Sequence, residues 1–587
     1  MTTSGATVSR DMVVTNARVR TLDPSRPAAS AFAVRDGRFV VVGSDDEVLA
    51  RTERGSLRID AGGRTVVPGL NDSHIHVIRG GLTYNTELRW DGVPSLADAM
   101  RLLADQAART PAPQWVRVVG GWVPFQFAER RLPALDELNA VAPDTPVVVT
   151  CMYSRALLNR AALRAAAITR DTPNPPGGMI ERDARGEPTG LLLAQPSPTI
   201  LYQVLSRAPR LEHADQLNST RHYLRELNRF GLTSIIDAAG GGQRYPEDYA
   251  VYEELHRRGE LTVRTAYSLF PQVPGRENDD IANWMHSVDR NAGDRFLRVN
   301  GIGEWIISAA GDFEDFMDPR PAIPSEALAD LERAIRTIVA NRWPFRIHAT
   351  YGETIAAFLN VFEKVDRDVP FAGLRWNFDH AETIRVTDLP RVAALGGAIA
   401  AQHRMGYQGE YFVEQYGRNA AVAAPPIRRI LAEGIQVGLG TDATRVSTYN
   451  PWVSLHWYVT GKTVGGLQVL DAQNRLDREL ALRLYTRGSA AFSGEADVKG
   501  IIAPGMLADF AALSEDFFSV DADAIAGIES VLTVVDGKVV YAAAEFEKLA
   551  PPIPPASPSW SPGIYHATSF RMAPIERRDG TIACAHF

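Results

Sequence analysis

Val66-Val67-Pro68-Gly69-Leu70-Asn71-Asp72-Ser73-His74-Ile75-His76 joins a β-branched run to a turn-forming Pro-Gly and then to two histidines at i and i+2. On extended backbone, side chains alternate faces, so His74 and His76 project one way while Ile75 projects into the packing behind. Two imidazoles on one strand edge make half of a transition-metal site, suited to Zn, Fe, Mn or Ni. A His-x-His pair alone is equally at home on an ordinary surface or in a core. Further ligands at the ends of other strands would change that.

Such residues follow. Thr233–Asp237, Phe296–Val299, Pro344–His348, Leu374–His380, Ala398–His403 and Ile435–Asp442 read as strands, being short and apolar. Apolar residues recur at helical spacing over Leu96–Ala108, Ala214–Phe230, Ser325–Asn341 and Thr354–Val365. Serial β–α units predict a parallel sheet, and this many predict an α/β fold with a closed (β/α)8 TIM-like barrel. His348, His380 and Asp442 each end a strand, on the edge where barrels build active sites. Singly, His380 reads as a helix-start residue and Asp442 as a turn or N-cap. Together with His74 and His76, they point to a metal centre.

The chain ends resemble each other. Asp36-Gly37 sits between Ala31–Val34 and Phe39–Val42, and Asp536-Gly537 sits between Ser530–Val535 and Val539–Tyr541. Asp-Gly between apolar runs signals a hairpin. The expected organisation is a small β-sandwich from residues 1–65 plus 500–548, and a barrel from 66–90 plus 213–499. Residues 91–212, with Gly120-Gly121-Trp122 and the Pro/Gly-rich 172–178 segment, break the barrel rhythm and read as an α/β insertion over its mouth. Residues 549–587 read as an extended arm, with Tyr565, Phe570 and Phe587 expected to dock it.

Across 587 residues, 45% hydrophobic and 22% charged, the composition is that of a globular protein of several domain-sized units. A net charge of -8 is no nucleic-acid footprint. Cys151 and Cys584 are the only cysteines, which excludes a disulfide framework. No basic-then-apolar leader or membrane-length apolar run is present, so the expectation is a cytoplasmic protein, with a small-molecule substrate and no membrane or nucleic-acid partner. A homodimer fits a large barrel with an extended tail.

His74-x-His76, His348, His380 and Asp442, preceded by Val67-Pro68-Gly69-Leu70, resemble the amidohydrolase superfamily of metal-dependent hydrolases. Ala503-Pro504-Gly505-Met506-Leu507-Ala508-Asp509-Phe510 resembles that family's return into its sandwich. Gly177-Gly178 through Gly186-Glu187-Pro188-Thr189-Gly190 is similar to its large branch with an inserted domain, as in N-substituted formamide deformylases. Ser154 stands where that branch often carries a histidine, a departure that bears on substrate.

The resemblance implies that His74, His76 and Asp442 hold one divalent ion, and His348 and His380 a second. Zn2+ is the leading expectation, with Fe2+ and Mn2+ as alternatives and one or two ions per chain. Many members bridge two ions with a carboxylated lysine. The first lysine here, Lys364, falls beyond His348, so Glu304 is the candidate bridge, against an alternative of a supporting carboxylate. Cys151 is a poorer one. A bound ion brings the pKa of water from about 15.7 to about 7, with Asp442 as proton acceptor and a neighbouring histidine, His380, aiding the carbonyl. Candidate substrate contacts are Trp122, Trp305, His403, Arg404 and Trp452, with Arg155 and Arg404 as partners for a substrate carboxylate. The implied reaction is cleavage of a non-peptide C–N bond in an amide, N-acyl amine or N-substituted formamide. An ester or lactone, a decarboxylation or hydration, and a silent metal-binding regulatory protein are the alternatives.

Overall fold

The computed structural model describes residues 11–52, 55–195, 197–313, 316, 320, 322–566 and 574–575. Eight parallel strands form its centre: β1 (Leu70–Ile75), β2 (Leu232–Asp237), β3 (Arg264–Leu269), β4 (Leu297–Ile302), β5 (Phe345–Ala349), β6 (Trp376–His380), β7 (Ala398–Gln402) and β8 (Gln436–Gly440). They are hydrogen-bonded in sequence order. The seam between β8 and β1 closes just beyond the strand ends, where the Asp442 amide donates to His74 O at 2.7 Å and the His76 amide to Ala443 O at 3.0 Å. This is the (β/α)8 barrel expected from the alternation, with helices His213–Arg229, Ser325–Ala340 and Gly352–Asp366 on its outside.

The strand β3 was not among the sequence expectations. Arg264-Thr265-Ala266-Tyr267-Ser268-Leu269 carries a buried arginine where a central strand ordinarily carries an aliphatic residue. Its guanidinium is paired outside the barrel: Nε donates to Asp509 Oδ2 at 2.7 Å and Nη2 to Asp509 Oδ1 at 3.0 Å. Asp536 Oδ1 lies 3.4 Å from Nη2. A tertiary partner therefore makes a polar strand tolerable.

Those two aspartates belong to a pair of sheets built from both chain ends. One has the order Arg38–Gly43, Ala31–Arg35, Met12–Thr15, Leu57–Asp60. The other has the order Lys538–Ala542, Ser530–Val535, Phe510–Leu513, Thr65–Pro68, Arg18–Arg20, Ala28–Ala29. They share a core that includes Phe32, Phe39 and Phe510, rings packed edge to face. Asp36-Gly37 and Asp536-Gly537 all have positive φ, as a two-residue hairpin turn requires. Thr65–Pro68 extends the sandwich three residues past the expected limit at 65 and delivers the chain directly into β1.

The insertion carries a six-stranded mixed sheet whose edge strand, Glu87–Leu88, precedes the expected start at 91. Ser95 caps its first long helix, Leu96–Arg109, by accepting from Asp98 N. Gly120 has φ +67, and a Cβ there would collide with the carbonyls of Thr444 and Arg445, so this glycine lets the insertion press on the loop after β8. The described part of the arm lies across barrel and insertion together. Asn85 donates to Ser557 O at 2.7 Å, Gln106 to Trp560 O at 2.9 Å, and Arg109 covers the Tyr565 ring at 4.3 Å. Phe570, Cys584 and Phe587 lie outside the described residues.

Candidate metal centre

Each expected ligand stands at the C-terminal end of a barrel strand. His74 lies within β1 and His76 just beyond it, and Glu304 lies two residues past β4. His348 is in β5, His380 ends β6, and Asp442 follows β8. His380 (φ 78) and Asp442 (φ 58) adopt left-handed backbone, costly for residues with a Cβ and frequent at functional sites.

These six side chains converge. His74 Nε2 is 3.3 Å from Asp442 Oδ1 and 3.5 Å from Glu304 Oε2. His76 Nε2 is 3.0 Å from Asp442 Oδ1 and 3.6 Å from Glu304 Oε1. His348 Nδ1 lies 3.6 Å and His380 Nε2 3.5 Å from Glu304 Oε2. Three overlapping triads have mutual ligand-atom spacings within 4.8 Å: His74–His76–Glu304, His74–His380–Asp442 and Glu304–His348–His380. All six residues are buried.

The donor set fits a divalent cation. Among the described residues, His74 Nε2, both nitrogens of His380 and Glu304 Oε2 are buried without a hydrogen-bond partner, an arrangement that costs free energy unless something positive sits between them. Electrostatics agrees. Burial opposes ionisation of Glu304, yet His74, His348 and His380 hold its carboxyl well below the usual range. Burial likewise opposes ionisation of Asp442, and His74, His76 and Arg404 outweigh it. Burial, with the charges of Arg404 and His348, pushes His380 down to about 3, which keeps it neutral and able to ligate.

Four supporting residues were not singled out from the sequence. Asp379 Oδ1 lies 3.2 Å and Arg346 Nη2 2.9 Å from His74 Nδ1, which fixes the ring with Nε2 facing the cluster. Arg346 donates from Nε to Asp379 Oδ2 at 2.7 Å and keeps that carboxylate ionised. Asp72 accepts from the amides of His74 (3.0 Å) and Thr441 (3.1 Å), aligning β1 with β8. The Asp312 carbonyl accepts from His348 Nε2 at 2.7 Å. The signal for Arg346 and Asp379 was a charged residue inside an apolar strand. It becomes legible only once β5 and β6 are neighbours, with His348 opposite Asp379.

The expected substrate contacts divide. Trp305 belongs to the site, stacked on the His348 ring at 4.7 Å. Trp122 does not, because it is fully buried in the insertion core against Trp90 and Phe127, with Nε1 donating to Thr150 O. Trp452 is spent similarly, its Nε1 donating to Phe230 O at 3.0 Å and its ring against Phe517. Arg404 is tied to the cluster itself, its Nη2 donating to Asp442 Oδ2 at 2.5 Å. His403 follows β7, fully buried against Tyr407, and burial pushes it down to about 4. Cys151 ends an insertion strand away from the triads, its thiol pushed up to about 12 by burial. Arg155 lies in the next strand of that sheet.

A closed barrel with a His/Glu/Asp cluster at its mouth defines a metal-dependent hydrolase, and the chain belongs to the amidohydrolase family, which matches residues 58–541. It is similar to an N-substituted formamide deformylase of Arthrobacter pascens, 26% identical, with 91% of this chain and 99% of that protein aligned. The putative amidohydrolase YtcJ of Bacillus subtilis is also 26% identical, covering 87% of this chain and 96% of its own length. Among solved structures, an uncharacterized metal-dependent hydrolase from Pyrococcus horikoshii superposes with a TM-score of 0.62 at 20% identity, over 87% of this chain and 99% of that one.

Proposed function

We propose that this protein hydrolyses a non-peptide C–N bond of an amide or N-acyl amine, with His74, His76, Glu304, His348, His380 and Asp442 as the residues that would hold divalent zinc. The observation that carries this reading is Glu304 itself, one carboxylate within 3.6 Å of the ring nitrogens of His74, His76, His348 and His380. The similarity to the formamide deformylase supports the choice of bond. Divalent ions held there would acidify water and polarise a substrate carbonyl.

The residues supply the rest. Asp442 is kept ionised with Oδ1 facing the histidines and Oδ2 fixed by Arg404, so it can take a proton from water and return it to the leaving nitrogen. Burial excludes bulk water from these groups and strengthens every charge interaction among them. Trp305 offers a flat apolar wall beside His348.

The test is metal quantification on protein purified without chelators, paired with a screen of N-acyl amines for amine release. Two zinc ions per chain and amine release are expected. Ester or lactone cleavage without amide cleavage would replace the reading with the alternative chemistry. A cytoplasmic location and a homodimer go with this proposal, read by fractionation and by mass in solution. Among the described residues, no helix is long and apolar enough to cross a membrane.

A further inference from the structure

Beside the metal centre, a cavity of about 370 Å³ opens between insertion and barrel. Its walls come from helix Val77–Thr83, insertion strand Val116–Val119, helix Thr199–Leu205, the loop at 241–248 and Arg445. Five guanidinium groups and two carboxylates line it. Arg210 and Arg244 are exposed at the rim, while Arg79 and Arg117 are more than nine-tenths buried.

The inner arginines form no ion pair among the described residues, and the carboxylate charges that reach them are Glu87 at Arg117 and Asp442 at Arg79. Among the described residues no carboxylate lies within ion-pair distance of Arg79, Arg117 or Arg445. Their partners are neutral: Tyr153 OH (2.9 Å) and the Gly241 carbonyl (3.4 Å) for Arg79, the Pro209 carbonyl for Arg117, and the Tyr202 ring face for Arg445. Among the described residues, Arg79 Nε, Arg117 Nε and Arg445 Nη1 find no hydrogen-bond partner. Burial pushes Arg117 down to about 10, which an incoming anion would reverse. The carboxylates are committed elsewhere. Glu87 accepts from Thr83 Oγ1 at 2.7 Å and lies 3.5 Å from Arg89, and Asp248 accepts from the Arg244 amide at 2.7 Å.

The cavity is tied to the ligands. Arg79 follows His76 by three residues and Arg445 follows Asp442 by three. The Arg79 charge reaches both His76 and Asp442. A Cβ at Gly240 would lie 3.2 Å from Glu304 Oε1, and one at Gly241 would collide with Arg79 Nη1, so this turn separates cluster from cavity by one residue's backbone. We propose that the cavity receives a substrate carboxylate on Arg79, Arg117 and Arg445, and that the molecule cleaved is an N-acylated amine bearing that carboxylate, such as an N-acyl amino acid. This assignment rests on the C–N hydrolase reading above. Guanidinium suits the task because its planar fork matches a carboxylate and stays charged when buried.

Matched pairs test it: N-formyl- and N-acetyl-phenylalanine against their carboxamides, with the metal-loaded full-length protein. The acid is expected to exceed the amide in kcat/KM by about ten- to hundred-fold, the range of a charge-assisted hydrogen bond. Arg445→Gln and Arg79→Gln should collapse that ratio through KM. Equal kcat/KM for acid and amide, or a preference surviving both variants, overturns the proposal. Arg79 also fixes Tyr153, so a thermal-shift titration on wild type and R445Q serves where R79Q does not fold. There, stabilisation by the acid that is lost in R445Q is expected, and equal stabilisation of both proteins overturns the assignment. Inorganic phosphate stabilising more than the acid also overturns it. Cleavage of neither compound, alongside Arg445-dependent stabilisation by the acid, refutes the C–N reading and leaves the carboxylate cavity standing.

Discussion

At the scale of single residues, Asp442 and Glu304 carry different burdens. Asp442 lies 3.0 Å from His76 and is locked by Arg404, so Asp442→Asn keeps the shape of the cluster while removing the proton acceptor. Turnover is expected to fall about 10²–10⁴-fold with metal retained, measured by steady-state kinetics beside elemental analysis. Glu304→Gln removes the charge shared by two of the three triads, and metal content should fall toward one ion per chain. Glu410 shows how burial moves a carboxyl, being fully buried and pushed up to about 7, with Thr463 Oγ1 donating to it at 2.6 Å and the Arg130 charge opposing the rise. Between its unfolded value of about 4.5 and its folded value of about 7, the native state holds a proton that the unfolded state has lost. Stability from this group therefore falls as pH rises through that window, by up to about 1.4 kcal/mol per unit, and is flat on either side. Glu410→Gln should abolish that slope. The stability difference between variant and wild type should widen from pH 4.5 to 7 in denaturant titrations and then level off.

At the scale of elements, β3 ties the barrel to the sandwich. Arg264 is buried in a central strand opposite Ser234 of β2, and its charge is matched because Asp509 and Asp536 arrive from the far end of the chain. Arg264→Ala would leave Asp509 buried without that cation, at an expected cost of about 3–5 kcal/mol. The measurement is chemical denaturation, where unchanged stability would refute the coupling. Hairpins with Asp-Gly turns and helices with a clear apolar stripe were readable from the sequence because their signals are local. The limits expected for Leu96–Ala108 and Thr354–Val365 differ from the helices Leu96–Arg109 and Gly352–Asp366 by a residue or two at either end. The strand β3 was not readable, since what makes it tolerable lies some 245 residues away.

At the scale of the whole molecule, the barrel mouth gathers six buried ionisable side chains, and among the described residues His74 Nε2, both His380 nitrogens and Glu304 Oε2 there go without a hydrogen-bond partner. Removing metal should therefore abolish turnover and lower the unfolding temperature, and re-addition of zinc should restore both. Because ligand binding to the native state stabilises by mass action, the midpoint should rise with free zinc concentration. A midpoint insensitive to chelator would argue against a metal in the cluster. The insertion and the arm act on the same region. Gly120 brings the insertion onto the loop carrying Arg445, and the arm is hydrogen-bonded to Asn85 and Gln106 on either side of that junction.

The sequence by itself determined the repeated β–α alternation, the two hairpins and the order of His74, His76, His348, His380 and Asp442, because strand ends and turns are marked by neighbouring residues. The resemblance to the amidohydrolase superfamily, which implies a bridging lysine that the chain lacks ahead of His348, pointed to Glu304. Only the tertiary structure decided that Trp122 and Trp452 are packing residues, that Arg404 belongs to Asp442, and that Arg346 and Asp379 steady His74. It alone showed Arg79, Arg117 and Arg445 facing one cavity. Pairing and burial depend on which strands and loops become neighbours across hundreds of residues, and no local pattern encodes that distance.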